Sequence, residues 1–327
     1  MSKPTILITG GAGYIGSYVN KFIADKGYPT IVFDNLERGD PKTVVRGEFI
    51  KGDIRDTSKI KEIIEKHKVQ AILHFAAYID VGESVAHPIK YYENNVAGTI
   101  SLLKAALATN IKSFIFSSTA AVYGIPSAPL VSENFPLQPI NPYGESKLMV
   151  EKILKDISNS SDLKYIALRY FNAAGADPDG EIIVSQKGRH NLIPKTLLSI
   201  LEKSEICIYG TDYDTPDGTC IRDYIHLHDL ATAHLLALEK LLQGGSSSIY
   251  NLGNGSGFSV KEVLKKAEEV TGEKLRIRPT GRRAGDPPFL AADSKKAKSE
   301  LGWNPIYGSL EKIISDSWKT MNSLSVN

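Results

Sequence analysis

Short runs of aliphatic and β-branched residues alternate along the first half of the chain with longer stretches whose apolar positions recur at helical spacing. The run at 5–9 reads as a buried strand, those at 30–33, 48–51, 71–74, 113–117 and 165–169 read as further strands, and 14–26, 56–67, 88–109 and 142–157 read as helices. Consecutive parallel strands need a crossover, so repeated strand, helix, strand units predict a doubly wound parallel sheet of α/β class with helices on both faces.

After about Gly175 this rhythm breaks. Asp177-Pro178-Asp179-Gly180 is turn chemistry, and the stretch up to Asn191 is polar and contains Gly. Helices follow at 192–202, 227–241, 260–271 and 309–320, with short strands near 206–209 and 249–252. The chain of 327 residues is long enough for two domains. The expected division is 1–176 and a smaller α/β domain over 177–327, with 223–254 packing back onto the first.

Composition narrows the partners. Lys and Arg number 39 against 37 Asp and Glu, a net charge of +2, too little to predict nucleic acid or an anionic membrane as partner. No run of eighteen apolar residues exists, and a first strand starting at Thr5 leaves no room for a signal peptide. Cys207 and Cys220 lack zinc spacing or a redox pairing, so the expectation is a reduced, cytoplasmic protein without disulfides or a metal.

Directly after the first strand, Gly10, Gly13 and Gly16 form a GxxGxxG loop that opens a helix. Such glycines let the backbone approach a pyrophosphate at the positive end of that helix. Asp34 ends the second strand, placed to accept from ribose hydroxyls, and Asn35 follows it where a 2′-phosphate site would often supply Arg, so NAD is preferred over NADP; Arg38 is the nearest basic alternative. Asp53, at the end of the third strand, is placed either to accept from the adenine amino group or to cap the next helix.

Three further pieces fall at strand ends or on the helices after them: Ser117-Ser118-Thr119, Tyr143 with Lys147, and Arg169 to Asn172. Tyr143 and Lys147 are four apart and share a helix face. An ordinary phenol, with a pKa of about 10, is a poor base at neutral pH. Lowering that by about three units takes roughly 4 kcal/mol of preferential phenolate stabilisation. Lys147 and an oxidised nicotinamide are the expected sources of that positive charge.

With these motifs the chain resembles the extended short-chain dehydrogenase/reductase family, in its UDP-sugar 4-epimerase branch. The resemblance runs through His74-Phe75-Ala76-Ala77, Val81 to Ser84, Tyr91 to Val96, Asn191-Leu192, Asp217-Gly218-Thr219, Arg222 to His226 and Arg282 to Asp286. Ala77 and Ile79 depart from the Gly and Lys of the bacterial pattern. The resemblance implies cofactor contacts at Gly10, Gly13, Tyr14, Ile15, Gly16, Asp34, Asn35, Asp53, Ile54, Phe75, Ala76, Ala77, Asn94, Ser117, Tyr143, Lys147 and Tyr170. It implies catalysis by Tyr143, Lys147 and Thr119. Substrate contacts are implied at Thr119, Tyr143, Asn172, Asn191, Leu192, Tyr209, Arg222, Arg283, Asp286 and Leu290.

The implied activity is interconversion of UDP-glucose and UDP-galactose through a 4-keto sugar, with NAD restored in each turnover, by a homodimer joined through 88–109 and 142–157. Leu290 falls where the resemblance places a side chain lining the sugar pocket, and Leu there, rather than a bulky Tyr, implies room for a 2-acetamido group; the alternative is an ordinary core position. A dehydratase would need an Asp-Glu pair after Thr119, and a decarboxylase commonly a Glu; Ala120 and Ala121 stand there instead. A non-catalytic dinucleotide sensor would lose the base, whereas Tyr143, Lys147 and Thr119 are all present. Pentose and uronate 4-epimerases remain as alternatives.

Overall fold

A computed structural model describes residues 3–183, 191–283 and 286–325. The polar stretch 184–190 and the Ala284-Gly285 step, both used above, lie outside them. Seven parallel strands form the central sheet: β1 (Thr5–Thr9), β2 (Thr30–Asp34), β3 (Glu48–Lys51), β4 (Val69–His74), β5 (Ser113–Thr119), β6 (Lys164–Tyr170) and β7 (Ser248–Leu252), in spatial order β7-β6-β5-β4-β1-β2-β3. The order reverses between β1 and β4, which pair directly, Thr9 opposite His74. A crevice opens at such a switch point, outside the carboxyl ends of the strands. The fold is the doubly wound α/β Rossmann type.

Each face of the sheet is covered because its strands are apolar on both sides. On one face Ile6, Ile8, Leu73, Ile166 and Leu168 pack with the helices Tyr14–Asp25 and Leu227–Leu242. On the other, Leu7, Ile72, Phe114, Phe116 and Ala167 pack with Thr57–His67, Gly98–Ala108 and Pro142–Ser160. Val260–Thr271 begins with a capping box, Ser259 with Glu262, and stops at Gly272, which adopts a φ of 74°. With Leu192–Leu201 and Leu310–Ser325 it encloses a separate core around Ile193, Leu197, Val263, Ile313 and Ile314. Small strand pairs join the two halves, notably Asn172–Ala174 with Tyr224–His226.

The helix expected over 88–109 is interrupted. Pro88–Tyr91 leads into a π-helical turn, Tyr92–Ala97, before Gly98–Ala108 resumes. The wider turn turns two consecutive residues inward, Asn94 and Asn95, which a regular helix would splay. Asn95 Nδ2 donates to the Tyr78 carbonyl at 2.9 Å and its Oδ1 accepts from the Tyr78 amide at 2.9 Å. The segment after β4 is thereby fixed.

Candidate functional site

The glycine loop sits at the β1/β4 switch point. Gly10 has a φ of 72°, and a Cβ there would lie 2.4 Å from the Ala76 nitrogen; at Gly16 it would lie 2.3 Å from the Gly10 carbonyl oxygen. Both glycines are therefore dictated by close packing of loop, helix and the segment after β4. Gly13 differs, because a Cβ there would meet only the Gly10 oxygen, at 3.2 Å, and otherwise open space. Helix Tyr14–Asp25 has no side-chain cap and no acidic residue in its first turn. Its leading amides, with Ile15 among them, face an open cradle suited to a pyrophosphate.

Beside the cradle, Asp34 Oδ2 accepts from the Ala12 amide at 3.1 Å and Oδ1 from the Leu36 amide at 2.8 Å. Burial pushes its carboxyl above the usual range, and those backbone bonds oppose the rise. Asn35 reaches Asp53 Oδ2 at 3.3 Å. Asp53 does not cap the following helix; Asp56 does, accepting from the Lys59 amide. Instead the Arg55 side chain holds Asp53 down at about 2. Arg38 is engaged by Glu83, both carboxylate oxygens at 3.1 Å, away from a 2′-phosphate role. Ile54 is buried in the adjoining core.

At the carboxyl end of β5 the other expected residues converge. Asn141 caps Pro142–Ser160 by accepting from the Gly144 amide, which starts the helix where Tyr143 and Lys147 face the strand end. Lys147 is 3% exposed; its Nζ donates to the Ser117 carbonyl at 2.9 Å and lies 4.8 Å from the Phe116 ring centre. Burial drives its ammonium down to about 7. The Thr119 hydroxyl beside the Tyr143 phenol favours the phenolate, yet burial still raises Tyr143 above its ordinary value. The expected lowering of the phenol is thus absent from the protein's own groups. Desolvation outweighs one hydroxyl.

Around this centre, Phe75 lies against His234, ring centres 4.8 Å apart. His234 Nδ1 meets the Leu230 carbonyl, which can only accept, at 2.8 Å, so its Nε2 accepts from the Tyr170 hydroxyl at 2.5 Å. Asn94 is buried, with Nδ2 donating to Asn95 Oδ1 at 3.0 Å. The Tyr14 hydroxyl donates to the Gly175 carbonyl at 2.5 Å, tying the loop to the chain's second half. Ala77 is half-buried beside Tyr78.

The implied substrate residues form a second group. Arg222 Nη2 meets Asp286 Oδ1 at 3.2 Å, and the Arg283 guanidinium stacks 3.8 Å above the Tyr209 ring. Leu290 is opposite Arg222 in a parallel strand pair and packs beside Phe171 against the cluster of Ala120, Val122 and Tyr123. Asn172 Nδ2 donates to the Asp223 carbonyl at 2.8 Å. Asn191 precedes Leu192–Leu201 without capping it, and Leu192 is partly buried against the second core. A cavity of about 200 Å³ between Phe22, Asp179, His228 and Tyr307 shares no residue with either group.

Several residues at the site were assigned no role by the sequence. Asp223 accepts from the amides of Asn254, Gly255 and Ala292, pinning two other chain segments to the strand that carries Arg222. Glu151, one turn beyond Lys147, was legible as the next residue on the same stripe, and Arg169 as a charge within an apolar strand. His234 gave no local signal.

Residues 6–253 match the NAD dependent epimerase/dehydratase family. A UDP-glucose 4-epimerase of Halalkalibacterium halodurans is 48% identical over 96% of this chain and 94% of its own. The structure of UDP-glucose 4-epimerase from Brucella ovis in complex with NAD superposes with a TM-score of 0.95 at 45% identity, over 97% of this chain and 98% of that one. The UDP-Glc/GlcNAc 4-epimerase of Campylobacter jejuni gives 0.87 at 41%, over 98% and 99%. Sequence and fold agree along nearly the whole length, and the chain belongs to the NAD dependent epimerase/dehydratase family, among its UDP-glucose 4-epimerases.

Proposed function

We propose that this NAD-dependent epimerase interconverts UDP-glucose and UDP-galactose with Tyr143 as the base at the sugar 4-hydroxyl. The observation that carries the assignment is the meeting of Tyr143, Thr119 and Lys147 at the end of β5, beside the uncapped glycine loop. NAD, when bound, would supply the hydride acceptor for C4 and the hydride donor for the other face of the 4-keto sugar. Tyr143 takes the hydroxyl proton, Thr119 bridges phenol and sugar, and Lys147 in its ammonium form favours the phenolate. Arg222 and Arg283 pair with the diphosphate, so the 4-keto sugar turns while its nucleotide stays anchored. Asp286, Asn172, Asn191, Leu192 and Tyr209 complete the nucleotide-sugar contacts. Gly10 to Gly16, Asp34, Asn35, Asp53, Ile54, Phe75 to Ala77, Asn94, Ser117 and Tyr170 surround the cofactor.

The proposed sugar range includes UDP-N-acetylglucosamine and UDP-N-acetylgalactosamine, supported by Leu290 and by the likeness to the Campylobacter enzyme. The proposed division of labour is an NAD-binding unit over 1–176, with 223–254 returning to it, and a UDP-sugar unit over 177–327. Exposed Ile89 and Leu107 support a homodimer through the helices of 88–109 and 142–157. No described helix is long and apolar enough to cross a membrane, and a cytoplasmic site of action is part of the proposal. The test is incubation of purified protein with UDP-galactose, UDP-N-acetylgalactosamine and UDP-arabinose, with products identified by NMR. Inversion confined to UDP-arabinose, or none at all, overturns the assignment.

A further inference from the structure

Residues 143, 147 and 151 of helix Pro142–Ser160 form one stripe facing the end of β5. Each meets a different residue there. Thr119 lies beside the Tyr143 phenol, Lys147 donates to the Ser117 carbonyl, and Ser118 Oγ donates to Glu151 Oε1 at 2.5 Å. Arg169 on β6 grips the same carboxylate, Nε to Oε1 at 2.9 Å and Nη2 to Oε2 at 2.5 Å, and both side chains are no more than 3% exposed. Arg169 Nη1 also donates to the Tyr123 hydroxyl at 2.7 Å, and Tyr123 donates to Asn251 Oδ1 at 2.7 Å.

Stability alone is a poor reason for such a pair, since desolvating two charges often costs more than their attraction returns and apolar side chains of similar volume serve as well. Its place beside Lys147 suggests another. The titratable and charged groups around Lys147 are Tyr143 and Glu151 on its own helix, His74 on β4, Tyr170 on β6, and Arg169 beyond Glu151. His74 is held neutral, its pKa driven to about 3 by burial, and burial pushes the Tyr170 phenol up, so neither carries charge at neutral pH. Glu151 is the anion that opposes the burial of Lys147.

We propose that Glu151 is a positioning residue for epimerisation: clamped by Arg169 and Ser118, it sets the register of the Tyr143 and Lys147 stripe on β5 and supplies the negative charge that faces Lys147. The inference rests on the epimerase reading above, which wild-type turnover of UDP-galactose tests by itself. Holoenzyme rates are followed across pH for wild type, Glu151→Gln and Glu151→Gln/Arg169→Gln, the double variant leaving neither partner of the clamp as an unpaired buried charge. Loss of the Lys147 charge at lower pH should move the alkaline limb of kcat down by about 0.5–1 pH unit, with the KM for UDP-galactose within about twofold of wild type. The double variant should shift in the same direction. A folded double variant whose kcat profile overlies that of wild type, or one that changes KM alone, overturns the proposal.

Discussion

Leu290 lies directly opposite Arg222 where Phe289–Ala292 pairs in parallel with Ile221–Arg222. Its side chain packs against the cluster of Ala120, Val122 and Tyr123 that follows Thr119, as Phe171 does. In the proposed site, where Arg222 pairs with the diphosphate and Thr119 serves the reacting end, that position lies between the two.

Replacing Leu290 by Tyr should therefore narrow the space for a 2-acetamido group. Overpacking of this kind costs on the order of 1–3 kcal/mol, roughly ten- to a hundredfold in kcat/KM against the larger sugar. Rates for UDP-N-acetylgalactosamine and UDP-galactose measured side by side should diverge by that factor. Equal slowing of both, or no wild-type turnover of the acetylated substrate, removes the gate from Leu290.

Tyr143→Phe deletes the phenol oxygen while sparing the glycine loop and both arginines. Turnover should fall by at least about two orders of magnitude, the usual contribution of a positioned general base. UDP binding, followed by calorimetry, should stay close to that of wild type. Near-normal turnover would exclude Tyr143 as the base.

A redox-neutral cycle has no need to release its cofactor, so protein purified without added NAD should carry it. Asp34→Ala removes the ribose acceptor and the partner of the Ala12 and Leu36 amides. Loss of hydrogen bonds to a charged group is on the order of 1.5–3 kcal/mol, tenfold or more in affinity. NAD content after acid extraction is the readout, and undiminished occupancy would argue against Asp34 as the ribose anchor.

Lys147 also makes stability depend on pH. Its ammonium is driven from 10.5 to about 7 by burial. Between those values the unfolded chain binds a proton that the folded one does not, so stability rises with pH across that window, and the full burden is felt below it. Lys147→Met should raise the melting temperature of NAD-stripped protein by at least about 2 °C near pH 6. The gain should shrink toward pH 10. A gain independent of pH would mean that the fold does not disfavour the charged form of the lysine.

Local signals sufficed wherever one element's own residues decide its form. The apolar runs become β1 to β6 with bounds moved by a residue or two, because an apolar run of that length buries both faces only in a parallel sheet. The glycine loop was legible because its spacing is a steric requirement between neighbours, and Tyr143 with Lys147 because four residues make one helical turn. Asp53 was ambiguous for the same local reason: a carboxylate near a helix start suits a cap or a ligand, and only the seating of Asp56 at the cap separates them.

What tertiary structure decided depends on partners distant in sequence. The π turn at Tyr92–Ala97 follows from Asn95 needing the Tyr78 backbone and the Ser146 hydroxyl together, which helical periodicity does not encode. The Glu151–Arg169 clamp joins a helix to a strand eighteen residues on, and Tyr170 with His234 joins positions 64 apart. The sequence by itself determined the sheet, the dinucleotide loop and the stripe of candidate catalytic residues, since those are local patterns of size, polarity and spacing. The protonation of Tyr143 and Lys147 was decided only by the fold, because desolvation depends on everything packed around a group and on nothing in its neighbouring residues alone.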